Sequence, residues 1–269
     1  MSTTIYLHEF RTRLKSVIIW SVAVTAILVF FFSIFQGFAD QAALINQMYA
    51  KFPPAFRAAF SMDKLNMATV LGFYGFLTMF TQLFLAIQAG NYGFGLVSIE
   101  ENEMTADFLL TKPVSRTQVF VSKLLAALTS IFLTTLVIWA STLVTIAVYA
   151  GGREYDGTTL FLMMLSLPLF QIFFLCVGLV VSLIVKRVRS VTPYSLGLAF
   201  GSYVLAAFSG ILGEVKLELI TPFKHFDPSY IVNYGALNTP LVLLDVAVSL
   251  IALAVSYWLY LRRDIPAVS

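Results

Sequence analysis

Six stretches of the chain stay apolar without interruption, near residues 17–37, 68–97, 124–149, 159–185, 193–213 and 241–261. Each reaches roughly the 20 residues that a helix needs to cross a hydrocarbon core about 30 Å thick. Runs such as VAVTAILVFFFSIF lack the apolar and polar alternation of a membrane barrel strand. Helices are then the only spanning elements that satisfy every backbone polar group in lipid. The first run is too long for the apolar region of a signal peptide and has no small-residue cleavage site behind it, so it is predicted to remain in the protein.

Two segments break this pattern. Residues 3–16 place Tyr6, Phe10, Leu14 and Val17 on one helical side and His8, Glu9, Arg11, Thr12 and Lys15 elsewhere. This predicts an amphipathic helix in the membrane interface, with Thr3 or Thr4 as its N-cap. Residues 214–240 are too apolar for a free loop, and Pro222, Pro228 and Pro240 interrupt them too often for a span. A pair of short re-entrant or interfacial helices is the expectation there.

Composition agrees with the pattern. The 269 residues are 59% hydrophobic and 12% charged, against about 25% charged in soluble domains. The chain reads as an integral membrane protein. Its net charge of +3 is too small to point to nucleic acid, and its one cysteine, Cys176, excludes an intrachain disulfide. With the N-terminus inside, 11 of the 17 Lys and Arg residues fall on inner segments, among them Arg11, Arg13, Lys15, Lys112, Arg116, Lys123, Arg189 and Arg262. The positive-inside rule therefore predicts a multi-pass protein of the cytoplasmic membrane with both termini cytoplasmic.

The one long charged island between spans is EENEMTADFLLTKPVSRTQVFVSK, residues 100–123. Glu100, Glu101, Glu103 and Asp107 oppose the local basic bias and are expected to face a basic partner. Lys112 and Pro113 break any helix begun by FLL, and Ser115 is placed to cap a new one running through Arg116 and Lys123. The expected product is an elbow attached directly to a span.

At these residues the chain resembles the signature loop of ABC-2 type transporter permeases, which carries acidic residues, Gly-Thr, a Leu-Leu pair, Pro-Val-Ser-Arg and a later Lys in this order. Thr105, Leu109, Leu110, Pro113, Ser115, Arg116 and Lys123 match, while Met104 stands where that family usually has Gly. FPPAF in the first outer loop, TPFKHFDPSYI before the last span and the ending YLRRDI extend the likeness over nearly the whole chain.

The resemblance implies an all-α integral membrane fold of six transmembrane helices. An amphipathic helix at 1–16 precedes a permease domain at 17–269, with a cytoplasmic coupling loop at 98–123 and re-entrant helices at 214–240 before span 6. It also implies the membrane subunit of an ATP-binding-cassette exporter, working with two ATPase subunits, a second permease copy or related chain, and membrane lipids. In that reading Glu100, Glu101, Glu103, Thr105, Asp107, Leu109, Leu110, Pro113, Ser115 and Arg116 couple to the ATPase. ATP and Mg would belong to the ATPase, because this chain has no G-x-x-x-x-G-K-[ST] phosphate loop and no cofactor of its own is expected. The cluster Gly90, Gly93, Gly95 does not fit that pattern.

Polar residues inside spans cost enough to be noticed: Gln82, Gln88, Asn91, Gln171 and Asp245. Gln82, Gln88 and Asn91 share span 2 with Phe80 and Phe84, a candidate pathway lining for an amphipathic or bulky apolar cargo; interhelical hydrogen bonding is the other reading of each amide. Asp245 is expected to be a hydrated acid near the outer interface, and His225 a surface residue. Gly197 and Gly201 form a G-x-x-x-G pair for close approach of another helix, within this chain or in a partner. An enzyme would need convergent catalytic groups, and the chain has two histidines, one cysteine and neither H-E-x-x-H nor G-x-S-x-G. The alternative function is a non-transporting membrane scaffold or sensor subunit.

Overall fold

The structure, a computed structural model, describes residues 1–59, 63–102, 114–185, 188–212 and 216–262, with backbone alone at 46, 55, 58–59, 99–102 and 210–212. Among these residues every regular element is helical, and six helices are long and apolar enough to cross a membrane. They are span 1 (Thr3–Ser33), span 2 (Val70–Asn102), span 3 (Arg116–Tyr149), span 4 (Gly157–Ile184), span 5 (Val191–Leu212) and span 6 (Thr239–Arg262).

The expected amphipathic helix does not stand apart: span 1 runs unbroken through residues 16 and 17. Its first turns are held by side chains from span 3, since the Ser2 N–H donates to Ser122 Oγ at 2.8 Å and Tyr6 Oη lies 3.1 Å from Thr129 Oγ1. No proline or glycine falls between residues 3 and 33 to break the helix.

Span 3 also starts earlier than its apolar run. Ser115 accepts from the Gln118 N–H at 3.2 Å while the Gln118 side chain accepts from the Ser115 N–H at 3.0 Å. This capping box begins the helix at Arg116. Asp156 caps span 4 in the same manner, and hydrogen bonds from the Thr159 hydroxyl and the Thr159 and Thr158 amides hold its carboxyl below the usual carboxylate range.

Spans 2 and 4 are the most buried pair and span 2 also packs on span 5, while span 6 covers span 4. Span 1 packs on span 3. Glycine sets how closely spans 2 and 4 meet: a Cβ on Gly93 would sit 2.2 Å from the Leu175 carbonyl oxygen, a backbone atom that cannot rotate away. Gly93→Ala should force the two helices apart and cost about 1–3 kcal/mol as overpacking does. A melting temperature in detergent equal to that of the parent would contradict this.

The segment before span 6 holds a 3₁₀ turn at Lys216–Leu219 and short helices at Pro222–His225 and Pro228–Tyr234. The last ends at Gly235, whose φ of +60° supplies the left-handed turn that leads toward span 6. Phe223 and Phe226 insert toward span 4, where Phe170 meets Phe223 at 4.9 Å and Phe226 at 6.2 Å between ring centroids. This segment is therefore packed into the bundle.

Candidate functional site

The segment expected to form the coupling elbow lies between the end of span 2 at Asn102 and Val114, where the described chain resumes. Of the residues assigned to it by resemblance, Glu103, Thr105, Asp107, Leu109, Leu110 and Pro113 lie outside the described residues, as does Met104; Glu100 and Glu101 belong to the last helical turn of span 2, described for their backbone only. Ser115 is the cap described above. Arg116 is half-buried and donates from Nη1 to the Leu261 carbonyl at 3.2 Å, which ties the start of span 3 to the end of span 6. Beside it, Thr117 Oγ1 lies 2.9 Å from Tyr257 Oη.

Behind the elbow lies a buried polar cluster. Lys123, whose side chain is 3% exposed, donates to the Leu96 carbonyl at 2.8 Å and faces Glu9 Oε1 at 3.6 Å. Arg13 donates to Glu9 Oε2 at 2.6 Å and its guanidinium sits 5.8 Å from the centroid of the Tyr92 ring. Burial of a lone cation would cost several kcal/mol, so these charges persist because they are paired.

The polar line continues toward the membrane centre. Tyr92 Oη donates to Ser16 Oγ at 3.1 Å, and the Gln88 amide donates to Tyr92 Oη at 3.1 Å and to Thr134 Oγ1 at 2.9 Å. The Gln171 amide in turn donates to Gln88 Oε1 at 3.1 Å and accepts from Thr135 Oγ1 at 3.1 Å. Spans 1, 2, 3 and 4 are joined by this one network.

The candidate pathway residues are not gathered around one space. Gln88 is fully buried in the network, and Asn91 accepts from Ser195 Oγ at 2.7 Å. Phe80 packs edge-on against Phe76, and Phe84 lies 6.4 Å from Trp20. Gln82 donates to the Phe226 carbonyl at 2.8 Å and borders a small, half-open pocket with Met79, Tyr203, Phe223 and the Lys224–Asp227 ion pair. Phe80, Phe84, Gln88 and Asn91 are not part of its lining.

Two expectations are corrected. Asp245 is not hydrated and His225 is not at the surface: both side chains are 3% exposed or less, with His225 Nδ1 and Asp245 Oδ1 3.0 Å apart. The short helix ending at His225 packs directly on span 6, which removes both groups from water. Gly197 and Gly201 have nothing within 4 Å of a Cβ built on either, so this pair is not a packing site within the described chain.

Among the described residues no group of three or more His, Cys, Asp or Glu side chains is placed to hold a metal ion. The fold is that of a helical, multi-pass membrane protein. The family model described as "ABC-2 family transporter protein" matches residues 3–265. The chain therefore belongs to the ABC-2 family of transporter membrane proteins, whose permeases work in general with ATP-binding-cassette ATPase partners. Comparison with curated proteins and with solved structures gives no match.

Proposed function

We propose that the chain is the permease subunit of an ATP-binding-cassette exporter, moving a peptide, drug, lipid or ion outward across the cytoplasmic membrane. The family match over residues 3–265 carries this reading. Two ATPase subunits bind ATP and Mg and dock on the elbow at residues 100–116. A second permease, the same chain or a related one, lies against the exposed face of span 5, where Gly197 and Gly201 leave room for a helix to approach. ATP-driven closure of the ATPase pair moves the elbow, and the motion passes into the bundle through span 3, a single helix from Arg116 to Tyr149 capped by Ser115. Gln82 and the pocket beside it are the pathway's outer end; Phe80, Phe84, Gln88 and Asn91 line it in an arrangement reached during the cycle.

Purification of the protein from its own membrane, with identification of a co-eluting ATPase that carries a phosphate loop and hydrolyses ATP in the complex, tests this function. Recovery of an active, isolated chain would sink it. Orientation has its own test. In a Cys176→Ala background, cysteines at Ser2 and Glu154 should react with a membrane-impermeant maleimide from opposite sides, and labelling from the same side would overturn cytoplasmic termini. Arg116→Ala should lower ATP-dependent efflux severalfold while insertion and thermal stability stay near the parent values, because Arg116 is only partly buried and a bond at such a site contributes about 1 kcal/mol or less. Unchanged efflux would remove Arg116 from the coupling path.

A further inference from the structure

The bundle divides into two bodies by its packing. Span 1 packs mainly on span 3, while spans 2, 4, 5 and 6 form a second group through the contacts of span 2 with spans 4 and 5 and of span 4 with span 6. Contacts between the two groups are fewer than those within them, and the hydrogen bonds Gln88–Thr134, Thr135–Gln171, Tyr92–Ser16 and Arg116–Leu261 also cross between them. The elbow at 103–113 joins them, leaving the second group at Asn102 and entering the first at Arg116. A chain segment of this length does not by itself fix how the two helices it connects are set against each other.

Lys123 bridges that seam. It lies seven residues into span 3, about 10 Å along the helix, and Leu96 lies six residues before the end of span 2, about 9 Å from it. The two positions stand at matching depth behind the elbow, and the Lys123 ammonium reaches the Leu96 carbonyl at 2.8 Å. Glu9 on span 1 holds the same ammonium at 3.6 Å, and Arg13 holds Glu9 at 2.6 Å. A buried ammonium bound to one group and hydrogen-bonded to the other makes any slip across the seam expensive, since a displaced Lys123 would leave a charge in an apolar interior. Apolar contacts, which are not directional, could not set this register.

We infer that Lys123 is a positioning residue that registers the end of span 2 against the start of span 3 across the seam, and so presents those two ends at one spacing to the partner. The inference rests on the proposed docking role for its second consequence, ATPase retention, but not for its first, the spacing of the elbow's ends.

Two measurements separate the two. In the permease alone, in the Cys176→Ala background, nitroxides on cysteines at Asn102 and Ser115 report that spacing by electron paramagnetic resonance. The parent and Lys123→Arg should give one narrow distance, and Lys123→Met a broadened or displaced one. In the complex, Lys123→Met should lose the ATPase from the eluate and Lys123→Arg should keep it. A Lys123→Met distance equal to the parent's overturns the inference whatever the ATPase does. If the parent itself retains no ATPase while the distance responds as described, the docking reading falls and the positioning role stands. If Lys123→Met fails to reach the membrane, Lys123→Leu, which likewise removes the ammonium and its bond to the Leu96 carbonyl, is measured in its place and read by the same outcomes.

Discussion

Removing the histidine of the buried pair, His225→Ala, should lower the stability of the detergent-solubilised protein by about 1–3 kcal/mol, the cost of leaving a buried carboxyl without its hydrogen bond. The Asp245 carboxylate would then face the interior of span 6 with its hydrogen bond gone. Asp245→Ala should cost less, because a neutral imidazole left behind is less penalised than a carboxylate. Nε2 of His225 has no hydrogen-bond partner among the described residues, so the ring proton belongs on Nδ1, where Asp245 accepts it. The double change His225→Phe with Asp245→Leu should recover most of the loss, since an apolar pair of similar volume needs no compensation for desolvation. Thermal melting of the three variants checks the order. A His225→Ala protein that melts with the parent would mean that the segment before span 6 is not held to it through this pair.

That pair also marks where the sequence stopped being legible. The spans could be read because continuous apolar runs of bilayer length have one physical solution, and the helices at Val70–Asn102 and Gly157–Ile184 fall close to the runs at 68–97 and 159–185. The cap at Ser115 could be read because Ser followed three residues later by Gln is a local signal. His225 and Asp245 stand 20 residues apart across a segment whose path no local pattern determines, so in the sequence each reads singly, as a hydrated group. An acid and a histidine both isolated in apolar surroundings were the available hint. Glu9, Arg13 and Lys123 escaped for the same reason: Glu9 and Arg13 share a helical side at i and i+4, but their burial comes from span 3, more than a hundred residues away. Gln82, Gln88, Asn91 and Gln171 were legible as costly and not as partners, since hydrogen bonds between spans depend on register that composition does not carry.

Reversing the acidic start of the elbow, Glu101→Lys with Glu103→Lys, should release the ATPase. Carboxylates on an inner loop oppose the basic bias of that side of the membrane, so their use lies in a partner's cations. Close charge pairs across protein interfaces couple by about 1.5–7 kcal/mol, and two reversals replace attraction with repulsion at both positions. Even the lower end of that range, applied twice, weakens association about a hundredfold. Salt separates this from misfolding. The parent complex should lose ATPase progressively as ionic strength rises and the Debye length shrinks from about 10 Å to about 3 Å, whereas the reversed permease, already repelled, should hold what little it binds equally well or better in high salt. Melting of the reversed permease in detergent is measured alongside: a melt equal to the parent's assigns the lost ATPase to docking, and a lowered one assigns it to the bundle. ATPase recovery that is unchanged by the reversal, or a parent complex indifferent to salt, would place the docking contacts elsewhere and leave the elbow's carboxylates without the role proposed for them.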